Sequence, residues 1–166
     1  MVTDYQLLGD IFNTLEHQFG LIKNSNQKFI DLGAGNGDIV IFSAINYGIQ
    51  SHGIEIDPTL IQEANQRILA LKHEGNFKNK LLKKITIKLG DFYWHNLRRY
   101  DFIYIYSLPT MQKYLKHVFS TAKKGAIIIS HKYKFDIFSS FLKNKSKLAH
   151  KEDKQEIFTF FYKKIL

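Results

Sequence analysis

At 166 residues the chain is long enough for one domain with a sizeable core and too short for two. A composition of 45% hydrophobic and 14% aromatic residues argues against disorder, and the absence of cysteine excludes disulfides, thiolate metal sites and a cysteine nucleophile. The formal charge of +9 is lopsided, with 4 Lys/Arg against 9 Asp/Glu in residues 1–75 and 20 against 6 in residues 76–166.

In chain order, the opening MVTDYQLLGD has neither a basic stretch nor an apolar run, so no secretory leader is expected and the predicted location is the cytoplasm. Leu8, Ile11, Phe12, Leu15 and Phe19 recur at helical spacing and predict an amphipathic helix. After a loop at 24–27, KFIDL reads as a short strand running into glycines, and DIVIFSAINYG as a helix ending at Gly48. SHGIEI is a second strand. Asp57 then caps a helix with Pro58 at its first position, and Ile61, Ala64, Ile68 and Leu71 are its expected buried stripe.

Beyond a basic connector, KITIKLGDF alternates as a third strand and YDFIYIYSLP is a fourth. Met111, Leu115, Val118, Phe119 and Ala122 predict one helix stopped at Gly125. AIIISHKY is a fifth strand, buried on both faces. EIFTFFYKKIL is a closing strand paired with a short one near 147–152. Strand and helix in alternation predict a parallel sheet covered on both faces, with ligands beyond the carboxyl ends of its strands.

The glycine turn lies at that place. A dinucleotide fingerprint needs G-x-G-x-x-G/A, and its third position here falls on Asp38. The pattern present is D-x-G-x-G-x-G: Asp31, Gly33, Ala34, Gly35, Asn36, Gly37. An acid ending the first strand suits a cationic ammonium, which the methionine end of S-adenosylmethionine (SAM) carries and a pyrophosphate does not. Glu55, ending the second strand, can accept from both ribose hydroxyls. Ile56 can pack on the adenine, Asp91 can take its amino group, and the Phe92 amide can meet the ring.

In that order and register these residues resemble the class I, seven-strand SAM-dependent methyltransferases, over residues 28–133. The resemblance implies a Rossmann-like α/β fold. Its sheet is mostly parallel and seven-stranded, with helices on both faces and the last strand antiparallel. The expected organisation is a single domain over 1–166, with an N-terminal helix and loop at 1–27, a SAM-binding core at 28–135 and C-terminal strands at 136–166.

Acceptor-facing residues are expected after the fourth strand, at Tyr106, Ser107, Leu108 and Pro109, and after the fifth, at His131 and Tyr133. The Asn/Asp-Pro-Pro-aromatic motif common in base amino-methyltransferases is absent, with Ser107 and Leu108 in its first two places. Compact length, GIEI in the second strand and ISHKYKF at the fifth are similar to small archaeal protein-lysine methyltransferases and their mitochondrial relatives. That likeness implies a protein lysine as acceptor. The Tyr/Pro/Thr-rich segment those enzymes fold over SAM has only Thr3, Asp4 or Tyr5 as substitutes here. The basic C-terminal half keeps a nucleic-acid acceptor or partner as the alternative, and a small molecule as a third. A Lys:Arg ratio of 21 to 3 makes compositional drift the plainer source of that charge. No histidine spacing suggests a metal, and no segment suggests a membrane span.

Overall fold

The computed structural model describes residues 4–152 and 154–166, so Thr3 lies outside the described residues. The chain divides into two compact units, Met1–Phe92 and Tyr93–Leu166.

In the first unit, helix α1 (Tyr5–Phe19) begins where the Asp4 carboxylate accepts the Gln6 amide (2.9 Å) and ends at Gly20 in the left-handed region. Its apolar stripe is fully buried at Leu8, Ile11, Phe12 and Leu15. Phe12 anchors it, with ring centroids 5.3 Å from Phe29 on strand β1 (Lys28–Leu32) and 5.1 Å from Tyr47 on helix α2 (Asp38–Tyr47). Strand β2 covers Gln50–Glu55, one residue earlier than its pattern suggests, which leaves Ile56 outside it.

Helix α3 (Pro58–Glu74) has the expected cap, with Asp57 accepting from the Thr59 amide (2.8 Å). Only Ala64 of its predicted stripe is fully buried; Ile61, Ile68 and Leu71 are half-buried. The basic connector contains a single helical turn, α4 (Asn79–Leu82). Strand β3 (Ile85–Leu89) lies at the edge of a parallel β3-β2-β1 arrangement, where its period-two pattern does not become alternating burial. Leu89 is exposed there.

The second unit runs β4 (Phe102–Ile105), β5 (Ile127–His131), β7 (Gln155–Lys164), β6 (Leu142–Glu152) in spatial order. Strands β4 and β5 pair in parallel and are buried throughout, as the isoleucine run predicts. β7 runs antiparallel to both β5 and β6. β6 is eleven residues long rather than a short companion, and a register shift lies between Asn144 and Ser146. The single helix expected over 111–122 is two short ones, α5 (Pro109–Gln112) and α6 (Lys116–Ser120). At this break the buried Gln112 side chain donates to the Lys134 carbonyl (3.1 Å), and Leu115 is buried in the core.

The fold class is the one the sequence implies: a mixed seven-stranded sheet with six strands parallel and the last in the chain antiparallel. Among the described residues no helix is long and apolar enough to cross a membrane, and no group of three or more His, Cys, Asp or Glu could hold a metal ion.

Candidate active site

The first unit carries the glycine turn. As the chain leaves β1, the Gly33 and Ala34 amides both donate to the Ile54 carbonyl (2.9 Å each), which pins the turn across β2. The backbone is left-handed at Gly33, Gly35 and Gly37, with φ of 97°, 54° and 83°. At Gly35 that conformation aims the amide at the Glu55 carboxylate, whose Oε2 accepts it at 2.7 Å. Glu55 Oε1 accepts from the Ile56 and Asp57 amides at 2.8 and 2.9 Å. One buried carboxylate therefore braces both the glycine turn and the turn into α3.

Asp31 is buried beside this group. Burial, reinforced by the charge of Glu55, pushes its carboxyl up to about 8. Ile56 is 68% exposed, so its side chain is available to a ligand. Asp91 and Phe92 follow β3 half-buried, and the Gly90 amide donates to the Glu55 carbonyl (2.8 Å), tying that loop to the end of β2.

Two residues that pattern reading missed shape the turn. Arg67 on α3 pairs with the Asp38 carboxylate (2.5 Å) and donates to the Asn36 carbonyl (3.2 Å), clasping the turn from outside. No local signal marks it, since its partners are about thirty residues away. Gly53 in β2 is the second: a Cβ there would lie 2.6 Å from the Ala34 Cβ and 3.1 Å from Val40 Cγ2. The turn sits so close to the strand that only glycine fits.

The second unit carries the other nominated residues. Tyr106 is 41% exposed just after β4, with its ring centroid 6.1 Å from His131 and 5.7 Å from Tyr133. A hydrogen bond with Tyr133, then burial, pushes the Tyr106 phenol up. His131 is buried at the end of β5, its Nδ1 sharing a hydrogen bond with the Thr159 hydroxyl (3.0 Å) and its ring stacked on His150 (5.4 Å). Burial, then the charges of His150 and Lys132, hold its imidazole down at about 4, so it is neutral at pH 7.

Ser107 is fully buried, and its hydroxyl has no hydrogen-bond partner among the described residues. Leu108 is exposed and Pro109 opens α5; neither joins the ring cluster. Lys132, which pattern reading also missed, pairs with Glu152 and sets its ammonium 5.9 Å from the Tyr106 ring centroid.

The sequence model of the ANTKMT methyltransferase domain matches residues 31–140, a span that encloses every nominated residue of both units. The chain belongs to this methyltransferase family. No curated protein matches this methyltransferase in sequence. Among solved structures it is similar to an RNA methyltransferase from Salinibacter ruber in complex with S-adenosyl-L-homocysteine. That likeness has 19% identity and a TM-score of 0.77, over 99% of this chain and 94% of that one. It is also similar to the magnesium protoporphyrin IX methyltransferase of Synechocystis PCC 6803 with bound SAM (16%, 0.72, covering 96% and 78%). A third is a variant of MtNAS in complex with SAM (11%, 0.75), of which the chain spans 98% of its own length and 63% of the other's. The protein is a SAM-dependent methyltransferase, and its cofactor is SAM.

The first unit fits that cofactor by its own chemistry. A Cβ at Gly33 or Gly35 would meet nothing within 4 Å, so the turn has an open side on which a ligand can approach the backbone. The buried Asp31 carboxyl, reluctant to ionise beside Glu55, is a place where a ligand ammonium supplies the missing counter-charge.

Proposed function

We propose that this methyltransferase carries the methyl group of SAM to the ε-amine of a protein lysine. The observation that carries the reading is the ring cluster of Tyr106, His131 and Tyr133, which already holds one ammonium, that of Lys132, at cation–π distance. The likeness of GIEI and ISHKYKF to small protein-lysine methyltransferases supports it.

In this reading the first unit holds the cofactor. Asp31 takes its ammonium, and the backbone at Gly33, Ala34, Gly35, Asn36 and Gly37 follows its amino-acid tail. Glu55 takes the ribose, Ile56 covers the adenine, and Asp91 with the Phe92 amide reads the adenine edge. Glu55 Oε1 already accepts two amides and Oε2 one, and a carboxylate offers about four lone-pair sites. It can thus take one hydroxyl as it stands, and a second by releasing Gly35, which links the glycine turn to ribose binding.

SAM, when bound, supplies a methyl carbon made electrophilic by the sulfonium. The lysine must reach it as a free amine, because an ammonium has no lone pair, and lysine in water has a pKa near 10.4. An aromatic pocket that excludes water disfavours the charged form. Neutral His131 adds no positive charge, and the buried Ser107 hydroxyl is a group able to accept an N–H of the amine. As the N–C bond forms, the C–S pair stays on sulfur, and the nitrogen then loses a proton to solvent. Positioning and desolvation are the chain's contribution to the rate.

The test is transfer of labelled methyl from SAM into cell extract, followed by protease or nuclease. Protease should release the label; release by nuclease alone overturns the lysine reading. With the labelled protein in hand, the single-turnover rate should climb with pH through at least the neutral range, following the growing fraction of free amine. A flat profile argues for an acceptor nitrogen that is already neutral. Ser107→Ala and Tyr106→Ala should cut turnover while SAM affinity stays within about threefold, roughly 0.6 kcal/mol. Full activity in both variants would remove these residues from the acceptor site.

Asp31 gives a second, separate test of the cofactor half. Its carboxyl ionises only near 8, and the ammonium partner favours the ionised form, so binding below pH 8 must expel a proton. SAM affinity should therefore rise from pH 6 to about 8, with proton release visible as a buffer-dependent binding heat. Asp31→Asn should abolish both the slope and the release. A slope that persists in the variant assigns the titration to another group.

A further inference from the structure

Outside the residues assigned above, the segment at 93–100, YWHNLRRY, combines features that the methyl-transfer reading does not use. Trp94, the only tryptophan in the chain, is 86% exposed. Directly after it in the chain, His95, Asn96, Arg98 and Arg99 line an open cleft of about 740 Å³. Two of the chain's three arginines stand here, in a protein with 21 lysines.

The segment is held in shape. Leu97 and Tyr100 are buried, the Leu97 amide donates to the Thr121 hydroxyl (2.8 Å), and the Tyr100 amide donates to the Leu97 carbonyl (3.1 Å). His117 stacks on Tyr93 and donates from Nε2 to the Tyr93 carbonyl (2.6 Å). Arg99 lies over the Tyr100 ring (5.5 Å), with one guanidinium nitrogen 3.4 Å from the Tyr100 hydroxyl. The neighbouring carboxylate, Asp101, is paired with Lys123 at 2.6 Å. Among the described residues neither Arg98 nor Arg99 has an ion-pair partner.

An exposed indole keeps a large apolar face in water, and two uncompensated guanidiniums side by side repel each other. A ligand with a flat ring and adjacent anions relieves both costs at once. Guanidinium forks match phosphate oxygens, and an aromatic face accepts any base. An acidic peptide would satisfy the arginines and leave the indole unused. The unit that carries the segment, residues 93–166, has 15 Lys/Arg against 5 Asp/Glu, which favours a polyanion.

The geometry points to a docking site for single-stranded nucleic acid on this segment, with Trp94 stacking on a base and Arg98 and Arg99 taking neighbouring phosphates. The site stands whichever acceptor receives the methyl group.

Because Trp94 is the sole tryptophan, the intrinsic indole fluorescence of the whole protein reports on this position alone. Titration with a short oligouridylate should quench it saturably. The same titration with inorganic polyphosphate, which has no base, should quench it little, and polyglutamate should bind more weakly than the oligonucleotide. In anisotropy measurements with labelled oligouridylate, Trp94→Ala should weaken binding about tenfold. Arg98→Ala with Arg99→Ala should reduce the slope of log affinity against log salt by about 1.4, roughly 0.7 for each phosphate no longer neutralised. SAM affinity within threefold of the parent checks that the variants are folded. Absence of quenching, a salt slope unchanged in the double variant, or polyglutamate binding as tightly as the oligonucleotide each overturns the proposal.

Discussion

Glu55→Ala should weaken SAM binding by a hundredfold or more while also lowering thermal stability. A hydrogen bond to a charged group contributes about 1.5–3 kcal/mol, so losing the ribose bonds alone costs at least tenfold. The structure adds to that loss. The same carboxylate accepts the Gly35, Ile56 and Asp57 amides, so its removal frees the glycine turn and the start of α3 together. One effect runs the other way, since without Glu55 the Asp31 carboxyl ionises more readily and meets the cofactor ammonium more easily. Burial is the larger cause of the Asp31 shift, so this relief is partial and the net change remains a loss. Calorimetry with SAM and a thermal melt of the variant measure both parts. Binding within threefold of the parent would remove Glu55 from the cofactor site, and an unchanged melting temperature would mean the turn does not depend on its brace.

The second large effect is expected at Gly53, a residue with no chemistry of its own. Gly53→Ala places a methyl 2.6 Å from the Ala34 Cβ, and Ala34 has no rotamer by which to withdraw. The strand is held on both sides, with Gly53 paired to Asp31 on β1 and to Ile87 on β3, so the glycine turn is the part that must shift. Overpacking of this kind costs about 1–3 kcal/mol. For a chain of this size, about 2 kcal/mol corresponds to a melting temperature roughly 4–8 °C lower. SAM affinity should fall at least tenfold with it, because the displaced backbone is the cofactor turn. Adding Ala34→Gly removes the opposing methyl and should restore most of both quantities. If the double variant is no better than the single one, the clash is not the cause. A Gly53→Ala protein with normal stability would show that the turn has room the structure does not indicate.

The sequence by itself determined the alternation of strands and helices, the cap at Asp57, the glycine turn and the acids after the first three strands. Those features rest on spacing and turn chemistry that act over a few residues, so they are legible without knowing what lies alongside. The family match over 31–140 agrees with that reading. Tertiary structure decided the rest. The interruption between α5 and α6 carries no Pro or Gly to announce it, and it falls where Gln112 bonds to Lys134 across the unit. The length of β6 depends on ten paired positions with β7, a partner whose register no single-strand pattern displays. Arg67, Gly53 and the Thr159–His131–His150 stack were invisible because each acts on residues some twenty to thirty positions away. Glu55 shows both levels. Its place at a strand end was legible, but its second task, bracing the Gly35 amide, exists only because folding brings two turns twenty residues apart within 2.7 Å.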